Sequence, residues 1–160
     1  MNEQGVLRWG ILGAARVNER LMPAIIQAKN SKLIAIASRR AGAGADILAK
    51  YAPNETDVKA YDSPDLLLNN TDIDAIYLPM ANEEHTEWAL KAIEQGKHVL
   101  IEKPMALSVE DIDAIWSAAK QQNVHVMEGF MYCFHPQHDY VEELIKSGAI
   151  GEVRTVKTCF

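Results

Sequence analysis

The chain is short of cysteine, of positive charge and of long apolar runs, and each shortage removes a class of function. Its two cysteines, Cys133 and Cys159, make no C-x-x-C pair and no disulfide framework, which suits free thiols in a reducing compartment. With 16 Lys and Arg against 22 Asp and Glu, the net charge of -6 supplies no global positive field, so binding to nucleic acid or to an anionic membrane surface is not expected. No apolar run approaches the roughly 18 residues of a membrane span. The opening residues Asn2, Glu3 and Gln4 are polar or acidic rather than signal-like. A cytoplasmic protein is the expectation. Repeats, low-complexity tracts and long linkers are absent too, leaving 160 residues, 48% of them hydrophobic, for one domain and the start of another.

What is present is alternation. Apolar, β-branched segments ("VLRWGIL", "KLIAIAS", "VKAY", "DAIYLP", "KHVLIE", "VHVMEGF") are separated by segments of helical period. Helices are expected from about Val17, around "ADILAKYA", over "DLLL" after Pro64, over residues 82 to 95 and over residues 108 to 122. Such alternation predicts an α/β fold built on a doubly wound parallel sheet, with helices on both faces. Asn82 is placed to cap its helix, and Gly96 to end it in the left-handed conformation. Ser108 with Asp111 reads as a capping box, and Val109, Ile112, Ile115, Trp116 and Ala119 as a core-facing stripe. After about Val126 the pattern changes to a helix, a Ser-Gly turn and a final strand-like "GEVRTVKTCF" with nothing following to pair with it. Residues 1 to 126 are therefore expected to form one domain, and 127 to 160 the truncated start of an α+β second one.

The first loop comes close to a dinucleotide-binding fingerprint. In G-x-G-x-x-G the glycines serve a tight turn, backbone approach to the pyrophosphate and helix packing. Here residues 13 to 18 are Gly13, Ala14, Ala15, Arg16, Val17 and Asn18, so only the first glycine is kept. Ala15 is still small, Asn18 is a poorer fit for close packing, and the helix that follows points amides at an anion. A small-residue turn that binds nothing would have the same sequence. At the end of the second strand, where an NAD-selective site places an acid, stand Ser38, Arg39 and Arg40, which suit the 2'-phosphate of NADP. A solvated turn remains the alternative there.

Three further stretches, "IYLPMANEEH", "GKHVLIEKPMAL" and "MEGFMYCFHPQH", follow "RWGILGAARV" in order. Together they resemble the glucose-fructose oxidoreductase, inositol dehydrogenase and MocA family of NAD(P)-dependent oxidoreductases, most of all its dihydrodiol and xylose dehydrogenase branch. The resemblance implies a Rossmann domain that binds NAD(P), and Ser38, Arg39 and Arg40 favour NADP, with NAD possible. It also implies a sugar, polyol or diol substrate, and a homo-oligomer in the longer protein. Lys103 of the Glu-Lys-Pro triplet would contact the substrate hydroxyl as the catalytic group, and a fixed cation there stabilises the alkoxide-like charge that develops as hydride leaves carbon. By the same carry-over Pro79, Asn82 and His85 would line the nicotinamide side, and Glu102 would orient cofactor or lysine. Cys133 stands where relatives often carry arginine.

Cys133, His135 and His138 with Glu128 match no zinc spacing, so no metal is expected. No tyrosine is followed four residues later by lysine, which removes the short-chain dehydrogenase arrangement. The second proton-handling residue expected of the family would lie beyond residue 160. Two other readings stay open at this point: a non-catalytic NADP-binding regulatory module, and a Rossmann-like domain that binds nothing.

Overall fold

The computed structural model describes residues 5–159, which form two compact units, one ending at Gly129 and the other beginning at Phe130. In the first, six parallel strands run in the order β3-β2-β1-β4-β5-β6. They are β1 (Leu7–Leu12), β2 (Ser31–Ala37), β3 (Lys59–Tyr61), β4 (Ala75–Leu78), β5 (His98–Ile101) and β6 (Val126–Glu128). Between them lie α1 (Asn18–Gln27), α2 (Ala43–Tyr51), α3 (Pro64–Leu68), α4 (His85–Glu94) and α5 (Val109–Gln122). This is the doubly wound order, reversing direction between β1 and β4.

Successive residues of a strand face opposite sides of the sheet, so a continuous apolar run feeds two cores. Leu12 and Ile76 pack on one face with Leu67, Ile93, Ile101 and Ile115. Their strand neighbours Ile11 and Tyr77 pack on the other with Met22, Ile25 and Ile36. Both faces are covered because both were apolar. Gly10 admits close approach of the α3 side: a Cβ there would lie 2.9 Å from Leu67 Cδ2 and 3.0 Å from Ile73 Cδ1.

Several local expectations require correction. The helix foreseen over residues 82 to 95 begins as a 3-10 turn, Asn82–Glu84, before α4 starts at His85, and the residue preceding that turn is Ala81. Asn82 therefore makes no side-chain cap. Ser108 does cap α5, accepting from the Asp111 N–H at 3.1 Å and donating to Asp111 Oδ2 at 2.8 Å. Of the stripe on α5, Ile115 and Ala119 are buried, but Val109 and Trp116 are 69% and 50% exposed. Seven residues apart, those two share the flank of the stripe, outside the arc that meets the sheet. Strand β6 pairs with β5 as far as Glu128, so the sheet runs past residue 126, and the two units divide after Gly129.

The second unit has a 3-10 turn, Met131–Phe134, and helix α6, Pro136–Lys146, whose first turn is capped by His135 Nδ1 accepting from the Gln137 N–H at 3.2 Å. Gly148 follows in the left-handed conformation, φ 73°. The expected final strand is not formed: residues 152 to 159 make no ladder. A strand needs a neighbouring edge to satisfy its backbone, and among the described residues of this unit none supplies one.

Candidate cofactor site

All strands of a parallel sheet end at one edge, and the loops leaving β1, β2 and β4 gather there around a cleft of about 330 Å3. Gly13, Ala14 and Ala15 form its floor. Ser38, Arg39 and Arg40 form one wall, and Pro79, Met80, Ala81 and Glu84 the other. Gly13 has φ 140°, in the region that favours glycine, and a Cβ there would sit 3.3 Å from Met80 Cγ. Its N–H donates to the Ala37 carbonyl at 2.9 Å, tying the end of β1 to the end of β2. Among the described residues the amides of Ala14, Ala15, Arg16 and Val17 donate to no protein acceptor, which leaves them available to an anion at the start of α1.

Asn18, read from the sequence as a poor fit, is fully buried and holds the loop instead. Its Nδ2 donates to the Gly13 carbonyl at 2.8 Å, while its Oδ1 finds no donor among the described residues. Arg16 and Val17 do not line the cleft. The Arg16 side chain is 93% exposed beside Glu19, and Val17 packs against the core that contains Ile11.

The two arginines are already engaged. Arg39 makes a bidentate pair with Glu84, Nη1 to Oε1 at 2.6 Å and Nη2 to Oε2 at 2.8 Å. Arg40 Nη2 donates to the Ala14 carbonyl at 3.0 Å, and its backbone N–H donates to Ser38 Oγ at 3.1 Å. Glu84 is a cleft residue the sequence did not single out. Nothing local distinguishes it from Glu83.

Lys103 lies beyond this cleft, on the loop after β5, and that loop is held at several points. The Tyr77 hydroxyl donates to Glu102 Oε1 at 2.7 Å, and the Lys103 N–H donates to Glu102 Oε2 at 3.3 Å. The Met105 N–H donates to Glu128 Oε1 at 2.8 Å. The Lys103-Pro104 peptide is cis. Burial, reinforced by the adjacent carboxylate, pushes the Tyr77 phenol well above its ordinary range, so it stays a donor. The Lys103 ammonium is exposed and has no acceptor among the described residues.

His85 takes a different place from the one expected of it. Its ring is fully buried, with Nδ1 2.8 Å from the Pro104 carbonyl and Nε2 3.0 Å from the Met80 carbonyl. Both acceptors are carbonyl oxygens, so an imidazolium makes both bonds and a neutral ring one. His85 thus joins the cleft wall to the Lys103 loop from behind rather than lining either. Asn82 is exposed on the 3-10 turn. Among the described residues no group of three or more His, Cys, Asp or Glu is placed to hold a metal, and no helix is long and apolar enough to cross a membrane.

Known proteins are similar to this chain in sequence and fold. The D-xylose 1-dehydrogenase (NADP(+)) 2 of Haloferax volcanii is 36% identical over 157 residues, covering 96% of this chain and 46% of that protein. The trans-1,2-dihydrobenzene-1,2-diol dehydrogenase of Xenopus tropicalis is 29% identical over 155 residues, with coverage of 96% and 46%. The crystal structure of KijD10, a 3-ketoreductase from Actinomadura kijaniata in complex with NADP, superposes with a TM-score of 0.86 at 31% identity, covering 93% of this chain and 46% of that one. The chain thus spans about half the length of the curated relatives it matches. The family model of the glucose-fructose oxidoreductase, inositol dehydrogenase and MocA proteins matches residues 7–130, and the chain belongs to that oxidoreductase family with its NAD-binding Rossmann fold.

Proposed function

We propose that this chain is the coenzyme-binding half of an oxidoreductase that transfers hydride between a nicotinamide coenzyme, NADP in preference to NAD, and a secondary hydroxyl of a sugar, polyol or trans-dihydrodiol. The observation that carries the reading is the cleft at the ends of β1, β2 and β4, where a glycine-led loop faces two arginines and the end of β2 bears no acid. Gly13, Ala14, Ala15 and the amides of residues 14 to 17 would receive the pyrophosphate, with Arg16 and Val17 contributing through their backbone. Ser38, Arg39 and Arg40 would hold the 2'-phosphate, and Pro79 and Asn82 would border the nicotinamide side. When bound, the coenzyme supplies the hydride acceptor or donor.

Lys103 is the proposed catalytic group. Its ammonium, without an acceptor among the described residues, would sit against the substrate oxygen and stabilise negative charge as the C–H bond breaks. Glu102, oriented by Tyr77, would fix the Lys103 backbone. His85 would keep the two loops in register. The KijD10 complex with NADP and the xylose and dihydrodiol dehydrogenase relatives support the coenzyme and the substrate class of this reading. The same reading takes residues 127 to 160 as leading into a substrate domain, a homo-oligomer as the assembly of the longer protein and the cytoplasm as its compartment. Free, exposed Cys133 and Cys159 suit that compartment.

Titration with NADPH and NADH, followed through the fluorescence of Trp9, Trp88 and Trp116, tests the reading. Saturable binding that favours NADPH is expected. A chain that is folded by circular dichroism yet binds neither coenzyme would overturn it.

A further inference from the structure

The Arg39–Glu84 pair joins two walls of the cleft. Arg39 leaves the end of β2, Glu84 lies on the turn after β4, and in the sheet those two strands flank β1. The bridge therefore crosses the edge from which the Gly13 loop emerges. Its geometry is end-on, with both terminal nitrogens of Arg39 on both oxygens of Glu84. A phosphate that takes the same end-on pair of N–H groups must displace the carboxylate, because each N–H of that fork is already directed at a Glu84 oxygen. The Arg40 guanidinium is committed differently, to a backbone carbonyl, and Ser38 Oγ already accepts from the Arg40 N–H. Arg39 is thus the guanidinium whose partner is a side chain able to rotate away, and its own side chain is 59% exposed.

We propose that Glu84 competes with the coenzyme's 2'-phosphate for Arg39, so that this one carboxylate sets how far the site prefers NADPH over NADH. The inference rests on the coenzyme reading above and adds the residue that tunes it. With a 2'-hydroxyl in place of the phosphate no displacement is needed, and the carboxylate held by Arg39 remains available as an acceptor for that hydroxyl. Glu84 thereby takes up, from β4, the position in coenzyme choice that an acid at the end of β2 holds in NAD-selective sites. Because the Arg39 side of the pair is solvent-exposed its competition is modest, on the order of 2- to 5-fold in affinity.

The test is a set of dissociation constants for NADPH and NADH with the wild-type chain, Glu84→Gln, Arg39→Gln and the double variant, each checked for folding by a circular dichroism melt. Glu84→Gln is expected to tighten NADPH roughly 2- to 5-fold without tightening NADH. In the Arg39→Gln background it is expected to leave NADPH affinity unchanged, since the contested group is gone. Unchanged or weaker NADPH binding by Glu84→Gln overturns the proposal, as does equal tightening when Arg39 is absent, which marks bulk charge repulsion rather than competition. Failure of the wild-type chain to bind either coenzyme is a different result: it removes the coenzyme reading itself, and this inference with it.

Discussion

The Tyr77 hydroxyl stands 2.7 Å from Glu102 Oε1, so a side chain buried in β4 fixes the carboxylate that precedes Lys103 on the neighbouring strand's loop. Because Tyr77 is 1% exposed, its hydroxyl cannot exchange this bond freely for water. Tyr77→Phe preserves the ring packing and removes only the donor. It is expected to cost about 1–2 kcal/mol in urea unfolding. An unchanged midpoint and slope would mean that solvent satisfies Glu102.

His85 has a larger effect in prospect, since it serves two carbonyls from a fully buried position. His85→Leu removes the ring N–H donation that the Met80 and Pro104 carbonyls receive, one bond from a neutral ring or both from an imidazolium. The expected loss is roughly 2–4 kcal/mol. Amide exchange should rise in both loops together, around Met80 and around Met105, if the ring couples them. Acceleration confined to one loop would show that the coupling is not made by His85.

Gly13→Ala tests the floor of the cleft. At φ 140° any side chain is strained, and its Cβ would press on Met80. A destabilisation of about 1–2 kcal/mol is expected, together with weaker NADPH binding. Gly42→Ala makes a useful contrast: φ is 73° and nothing lies within 4 Å, so strain is present without crowding of the cleft. Its coenzyme affinity should stay near wild type.

On the opposite edge of the sheet Arg8 holds Asp74 through Nη2 at 2.7 Å and Nε at 2.9 Å. Hydrogen bonds from this guanidinium, against the cost of burial, hold the Asp74 carboxyl below its ordinary value of 3.8. A folded pKa lower than the unfolded one stabilises the fold above that ordinary value and loses the contribution as pH falls through the folded pKa. Asp74→Asn should therefore cost about 1 kcal/mol at pH 7, the figure being limited by screening at a partly exposed pair. The gap to wild type should close in denaturation series taken below about pH 4. A gap independent of pH would assign the loss to packing.

The periodicity of the chain determined the sheet, its two covered faces and the edge at which ligands gather. Parallel strands all end on one side, so Gly13, Ser38 to Arg40 and Pro79 meet there once the six apolar segments are read as strands. The Ser108 cap and the left-handed Gly96 were legible for the same reason: a capping bond spans three residues, and a turn glycine needs only its own φ. Tertiary structure alone decided the partners. Arg39 and Glu84 are 45 positions apart in sequence, and His85 meets Pro104 across 19. Which strands adjoin and where a helix begins set those distances, and composition encodes neither. His85, expected to line the cleft, is a buried brace between the Met80 and Pro104 carbonyls at the start of α4. The strand-like "GEVRTVKTCF" shows the same limit, since β-propensity becomes a strand only beside an edge that takes its hydrogen bonds.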